Sequence, residues 1–261
     1  LDNLIGGGFK QESVNLVAGK TGSGKSVFAM QFLLDGLRKG EACIFISFEE
    51  RKKKIYEDFA GFGWDLERYE RTGMLKFLEN TPEQIRRVVA DGGGSLEVIA
   101  TQMGVKRIVI DCMSSFALLF HEDSNRRGAA LALFEIMNRW GCTALLTSNI
   151  KNGKIDFDDQ VDGIIQLHHV RTKGSHERAL EVVKMRGTQI PEKIMKMDID
   201  KKGIVLSPSK FVSLWMQSQV HHLLKESLLP WCHQLHNKYV FLEYWIVLLE
   251  YWWNLPNLSY F

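Results

Sequence analysis

The chain has few cysteines. Four occur in 261 residues, at Cys43, Cys112, Cys142 and Cys232, and no two form a C-x-x-C pair. This spacing excludes a paired-thiol motif. Three of the four lie in apolar strand-like runs and read as inert core residues in a reducing cytoplasm. Net charge is also small, at +2, so charge alone makes no case for a nucleic-acid partner. No apolar run is long enough for a membrane span: the longest, about 239–253, is broken by Glu243 and Glu250. No signal peptide is read. The first residue is Leu1 rather than Met, so the start is expected to be trimmed. No internal repeat is visible, which implies one nucleotide site per chain. With 45% hydrophobic and 25% charged residues, the composition suits one globular core and is too little for two large domains.

The stretch from Ser13 to Gln31 organises what is present. An apolar run, Val14-Asn-Leu-Val-Ala18, leads into Gly19-Lys20-Thr21-Gly22-Ser23-Gly24-Lys25-Ser26, and Val27 opens an amphipathic continuation. This is G-x-x-x-x-G-K-[ST] between a strand and a helix, the context that the motif requires. Its glycines let successive N–H groups turn toward phosphate oxygens. The helix start adds its partial positive charge. Lys25 is positioned to reach β- and γ-phosphates and Ser26 to ligate Mg²⁺.

Strands are expected at 14–18, 43–48, 75–78, 107–111 and 144–149, with helices at 25–38, 52–61, 82–90, 95–103 and 125–140 between them. Ser95 is read as a helix N-cap. Strands at 164–167, 179–185, 194–199 and 204–206 follow. Alternating strands and helices, then strands alone, predict an α/β fold. Its core is a mostly parallel, doubly wound sheet with an antiparallel C-terminal extension.

Composition changes near residue 210. Residues 211–261 hold five of the 64 charged side chains and five of the seven tryptophans. The boundary is drawn as 1–208 and 209–261. Three readings of the tail stand open: a helical segment packed on the core or a partner, a membrane-interface segment, and a non-native extension.

Hydrolysis needs a metal-holding carboxylate and a group that orients water. Asp111 ends the run Arg107-Ile-Val-Ile, where a core strand delivers it to hold Mg²⁺. Glu49 and Glu50 end Ile-Phe-Ile-Ser-Phe48 at the mouth of a parallel sheet, where ligands bind. Alternation predicts that one of the two faces the nucleotide and polarises water. Ser148 and Asn149 end another strand. They are read either as γ-phosphate sensors or as a satisfied strand end.

Six ordered segments carry a resemblance: Leu1-Asp2-x-Leu4-x-Gly-Gly-Gly, the Gly19–Ser26 loop, Ile46-Ser-Phe-Glu-Glu50, Phe62-Gly-Trp-Asp-Leu66, Ile108-Val-Ile-Asp111 and Lys184-Met-Arg-Gly-Thr188. Over about residues 1–208 the chain resembles the KaiC domain, a RecA/RadA-superfamily branch abundant as single-domain archaeal proteins. The resemblance implies a RecA-like ATPase with ATP and Mg²⁺ at subunit interfaces of a ring or filament, often a hexamer. It implies that Lys184 and Arg186, with Met185 between them, reach the neighbouring subunit's phosphate. It also implies that Gly61, Thr188 and Asp200 line the sugar and base. Read from the residues alone, Lys184 and Arg186 would be solvated strand-end charges. Two positions depart from the family: Asp158-Asp159 stand where the clock protein's second domain has a phosphorylated Ser-Thr pair, and Ile190 stands where many relatives have His. The first argues against an autokinase cycle and the second against one nucleotide contact.

A regulatory or signalling ATPase is the leading expectation. The rival is an ATP-dependent assembly switch or binding module with little hydrolysis. DNA strand exchange of the RadA kind needs basic loops. The segment 150–163 carries four acids against two lysines, which is poor for gripping a phosphate backbone.

Overall fold

The computed structural model describes residues 1–150, 153–172, 175–191 and 194–211. The three readings of the aromatic-rich tail lie outside the described residues.

Nine strands form one sheet. They are β1 (Val14–Gly19), β2 (Cys43–Ser47), β3 (Leu75–Glu79), β4 (Arg107–Asp111), β5 (Thr143–Asn149), β6 (Gly163–Thr172), β7 (Ser175–Met185), β8 (Met195–Asp200) and β9 (Gly203–Phe211). Their spatial order is β3-β2-β4-β5-β1-β6-β7-β8-β9. The first six strands in that order pair in parallel, and β6 through β9 pair antiparallel. A short 3-10 turn (Asp2–Leu4) and seven α-helices complete the described part: α1 (Lys25–Arg38), α2 (Lys52–Ala60), α3 (Leu66–Arg71), α4 (Pro82–Ala90), α5 (Gly94–Met103), α6 (Met113–Ala117) and α7 (Asp123–Arg139). The α/β class, parallel core and antiparallel extension match the expectation. Among the described residues no helix is long and apolar enough to cross a membrane.

The central strands are apolar throughout because both faces are covered. On one face Val17, Phe45, Val109, Leu145 and Ile165 pack with Phe28 and Leu33 of α1, Ile55 and Phe59 of α2 and Leu66 of α3. On the other, Leu16, Ile44, Ile108 and Leu146 pack with Ile85 of α4, Leu96 of α5, Phe116 of α6 and Leu133 of α7. Adjacent residues along each strand serve opposite layers, as a pleat requires.

Phe45 is fully buried and stacks on Phe77, with ring centroids 5.1 Å apart. Phe45→Ala is expected to cost about 3–5 kcal/mol. The denaturant midpoint measures this, and a loss below about 1 kcal/mol would mean the layer collapses into the space.

Local signals explain the helix ends, with one correction. The Thr81 hydroxyl accepts the Gln84 N–H and the Gln84 side chain accepts the Thr81 N–H, a reciprocal cap that starts α4. Ser95 does not cap α5. The cap position is Gly93, at φ 123°, with Gly94 following at φ 50°, so Ser95 lies inside the first turn. The glycines take the positive-φ backbone that starts the helix, and no side chain caps it. The short helices α3 and α6 are additional to the expected elements. So is the length of the β6–β7 ribbon, whose outer residues are polar.

The strand register gathers the chemistry at one edge. Gly19 pairs with Asn149, and Ser47 with Asp111. Four parallel strands thus end together at a crevice where the chain order reverses, the usual ligand position in an open parallel sheet.

Candidate nucleotide site

The loop between β1 and α1 is closely fitted. A Cβ on Gly19 would lie 2.7 Å from the Leu167 carbonyl oxygen of β6, so only glycine fits there. Gly24, the N-cap of α1, has φ 104°, and a Cβ there would lie 2.7 Å from Ile199 Cδ1 of β8. The loop therefore turns at residues that tolerate left-handed backbone, against strands that leave no room for a side chain.

The loop's donors fit an anion. Among the described residues, the N–H groups of Gly22, Gly24, Lys25 and Ser26 donate to no protein acceptor. Such donors at a helix start make a phosphate cradle. Lys25 Nζ donates to the carbonyls of Gly19 at 3.0 Å and Lys20 at 3.2 Å, which folds its stem along the loop. Burial pushes the Lys25 ammonium below its ordinary range, while Asp111, Cys112 and Glu49 pull it back up. Thr21 and Lys20 are exposed, Ser23 is buried, and Val27 packs on the core below the loop.

Asp111 is half-buried beside the loop. It accepts a hydrogen bond from Thr147 Oγ1 at 2.5 Å, and the Ser26 hydroxyl lies close enough to act on its charge. Burial pushes its carboxyl above the usual range, and the two hydroxyls and the Lys25 charge oppose that rise. The Asp111–Cys112 peptide bond is cis. Ser26 and Asp111 offer two hard oxygens, a donor set that suits Mg²⁺ sharing its shell with water and phosphate. Among the described residues no group of three His, Cys, Asp or Glu could hold a metal by itself.

The two glutamates part company. Glu49 Oε1 accepts from Cys112 Sγ at 3.3 Å and from Ser115 Oγ of α6, and its charge acts on both Lys25 and Asp111. Glu50 Oε1 faces away and pairs with Lys54 of α2 at 3.3 Å. Ser47 explains the divergence: its Oγ accepts the Glu50 N–H and donates to the Glu50 carbonyl, which turns the chain after β2.

At the end of β5, Ser148 Oγ lies 3.2 Å from Ser114 Oγ, and the Asn149 N–H donates to Ser114 Oγ at 2.8 Å. Ser148 and Asn149 are thus tied to α6.

Lys184 and Arg186 lie at the opposite end of the sheet. Lys184 is level with Ile164, which is level with Leu16. The Arg186 N–H donates to the carbonyl of Asp162, whose carboxylate accepts the Val14 N–H. Val14 and Gly19 are five residues apart on β1, or about 17 Å. Lys184 Nζ donates to the Asp158 carbonyl at 2.9 Å, and Arg186 bonds Asp162 at 3.3 Å and the Asp159 carbonyl at 3.2 Å. Neither reaches its own chain's loop. Burial and the Arg186 charge push Lys184 below its ordinary range, against the three aspartates nearby.

The remaining expected residues are dispersed. Gly61 caps α2, Met185 is buried at the end of β7, and Thr188 sits beside Gly6. Asp200 ends β8 and accepts the Lys202 N–H at 2.7 Å. Among the described residues no hydrogen bond ties any of the four to the loop. Sequence reading passed over Thr147, Cys112, Ser115 and also Arg178, which donates to the Gly22 carbonyl at 3.3 Å. Single hydroxyls and a ribbon arginine carry no local motif.

The model of the KaiC ATPase family matches residues 1–210. A UPF0273 protein of Pyrococcus furiosus is 32% identical over 80% of this chain and 92% of its own length. The circadian clock protein KaiC3 of Synechocystis is 27% identical over 83% of this chain, which spans 46% of that larger protein. The crystal structure of a KaiC-like protein from Pyrococcus horikoshii superposes with a TM-score of 0.69 at 31% identity, covering 80% of this chain and 95% of that one. The chain belongs to the KaiC family of RecA-like ATPase domains.

Proposed function

We propose that this protein binds ATP with Mg²⁺ and hydrolyses it at interfaces between copies of itself in a ring or filament, as a regulatory or signalling ATPase. The observation that carries the reading is the convergence of Lys25, Ser26, Asp111 and Glu49 at one strand edge. In this reading the loop N–H groups and Lys25 hold the triphosphate. Ser26 and Asp111 would hold Mg²⁺, which would supply positive charge against the phosphate oxygens. Glu49 accepts a hydrogen bond from water and aligns it, taking its proton as the oxygen attacks. Glu50 is left out of the chemistry. Lys184 and Arg186 act on the neighbouring copy's phosphate, which their distance from their own loop supports. Gly61, Thr188 and Asp200 take the sugar and base in the assembled protein, and Met185 lies between the two cations that reach the neighbour. The regulatory use follows the clock protein among the relatives.

Phosphate release by the purified full chain tests the reading. Turnover is expected in the wild type and at background in Lys25→Ala. No turnover above Lys25→Ala in any oligomeric state would overturn the enzymatic claim.

One observation favours a second reading, an ATP-dependent assembly switch. Lys184 and Arg186 are both engaged by their own chain, at Asp158, Asp159 and Asp162. Freeing them would couple assembly to nucleotide. An ATP-bound form that persists for hours would favour this switch.

A further inference from the structure

We propose that Ser115 is a positioning residue that, with Cys112, fixes the carboxylate of Glu49 for its work on water. The inference rests on the role proposed for Glu49 and adds the groups that aim it. Glu49 stands two residues beyond β2, past regular strand pairing, on an exposed stretch. A glutamate there keeps several rotamers unless something holds its head. The neighbouring strand supplies the holder. The Phe48 N–H donates to the Asp111 carbonyl at 2.9 Å, which extends the β2–β4 alignment by one residue and brings Glu49 over the start of α6. Cys112 is the N-cap of α6, and the Ser115 N–H closes the first turn onto the Cys112 carbonyl at 3.2 Å. Side chains three apart share one helix face. Both donate to the same oxygen, Glu49 Oε1.

This division matters for function. Oε1 is occupied by a thiol and a hydroxyl, whereas among the described residues Oε2 has no hydrogen-bond donor. One oxygen is anchored and the other is left for water. The thiol is the weaker donor of the two, so the hydroxyl dominates. The same short helix reaches β5 through Ser114, which bonds both Ser148 Oγ and the Asn149 N–H. Thus α6 links the three strand ends around the proposed reacting centre, and displacing α6 would move Glu49.

Steady-state ATP hydrolysis by the full chain tests this, with ATP binding measured alongside. Ser115→Ala is expected to lower kcat about tenfold, because a misaimed group of this kind costs up to ~100-fold, with KM and ATP affinity unchanged. Ser115→Thr, which keeps the hydroxyl, is expected to recover most of kcat. In a Glu49→Gln background, Ser115→Ala is expected to cost nothing further. Unchanged kcat in Ser115→Ala would overturn the inference, and so would an equal loss with and without Glu49, or a loss in KM alone. A Glu49→Gln protein with wild-type turnover would instead remove the underlying role of Glu49 and the inference with it.

Discussion

Glu49→Gln is expected to lower ATP turnover by about 100- to 10,000-fold, the range over which a positioned general base acts. ATP binding should stay within a fewfold of wild type. The amide keeps the shape and still accepts at one atom, so the bonds from Cys112 and Ser115 can survive. What it loses is the basic oxygen. Glu50→Gln should leave turnover nearly intact, because that carboxylate faces Lys54. The contrast between adjacent residues is the informative part. Parallel rate assays on the two variants decide it. Equal losses would mean that the chain rearranges after Ser47 when nucleotide binds, and a reversed pattern would assign the water to Glu50.

The second large effect concerns the cationic pair at the far end of the sheet. Arg186→Ala alone should reduce turnover by about 10³- to 10⁵-fold, as loss of a charge-stabilising finger does. Lys25→Ala alone should abolish it. Mixing the two inactive proteins should restore activity. A head-to-tail assembly pairs the intact loop of one copy with the intact arginine of the next in about a quarter of the interfaces. Rescue requires that the two groups act across chains. Failure of every mixing ratio to recover turnover, with assembly confirmed by sizing, would confine Arg186 to its bonds with Asp159 and Asp162.

Much of this layout is local and therefore legible in the sequence. The run from Val14 to Ser26 states its strand, turn and helix start within thirteen residues, because each is dictated by neighbours in the chain. The apolar run before Asp111 does the same, since a strand buried on both faces needs no partner to be recognised. Other features depend on distant residues. The strand order puts β5 beside β4, and that pairing brings Thr147 to Asp111. No spacing rule announces it. The alternation rule could say that one of Glu49 and Glu50 faces inward but not which, because the turn made by Ser47 ends the regular pleat. The α6 helix has five residues, too short for a periodic signal, so Ser115 carried no mark of its role. Ser95 shows a local rule failing locally: a good capping residue beside Gly93 and Gly94 gave way to glycines that could take positive φ. The roles of Lys184 and Arg186 came from resemblance alone. Their own strand-end surroundings give no reason to connect them with phosphate.

Equilibrium titration of the full chain with ATP, with and without Mg²⁺, tests the central claim most directly. Saturation at one nucleotide per chain is predicted, strengthened by Mg²⁺ in the wild type, with that strengthening lost in Asp111→Asn and binding lost in Lys25→Ala. Absence of saturable binding, or binding indifferent to Lys25, would contradict the claim that the loop after β1 grips a triphosphate.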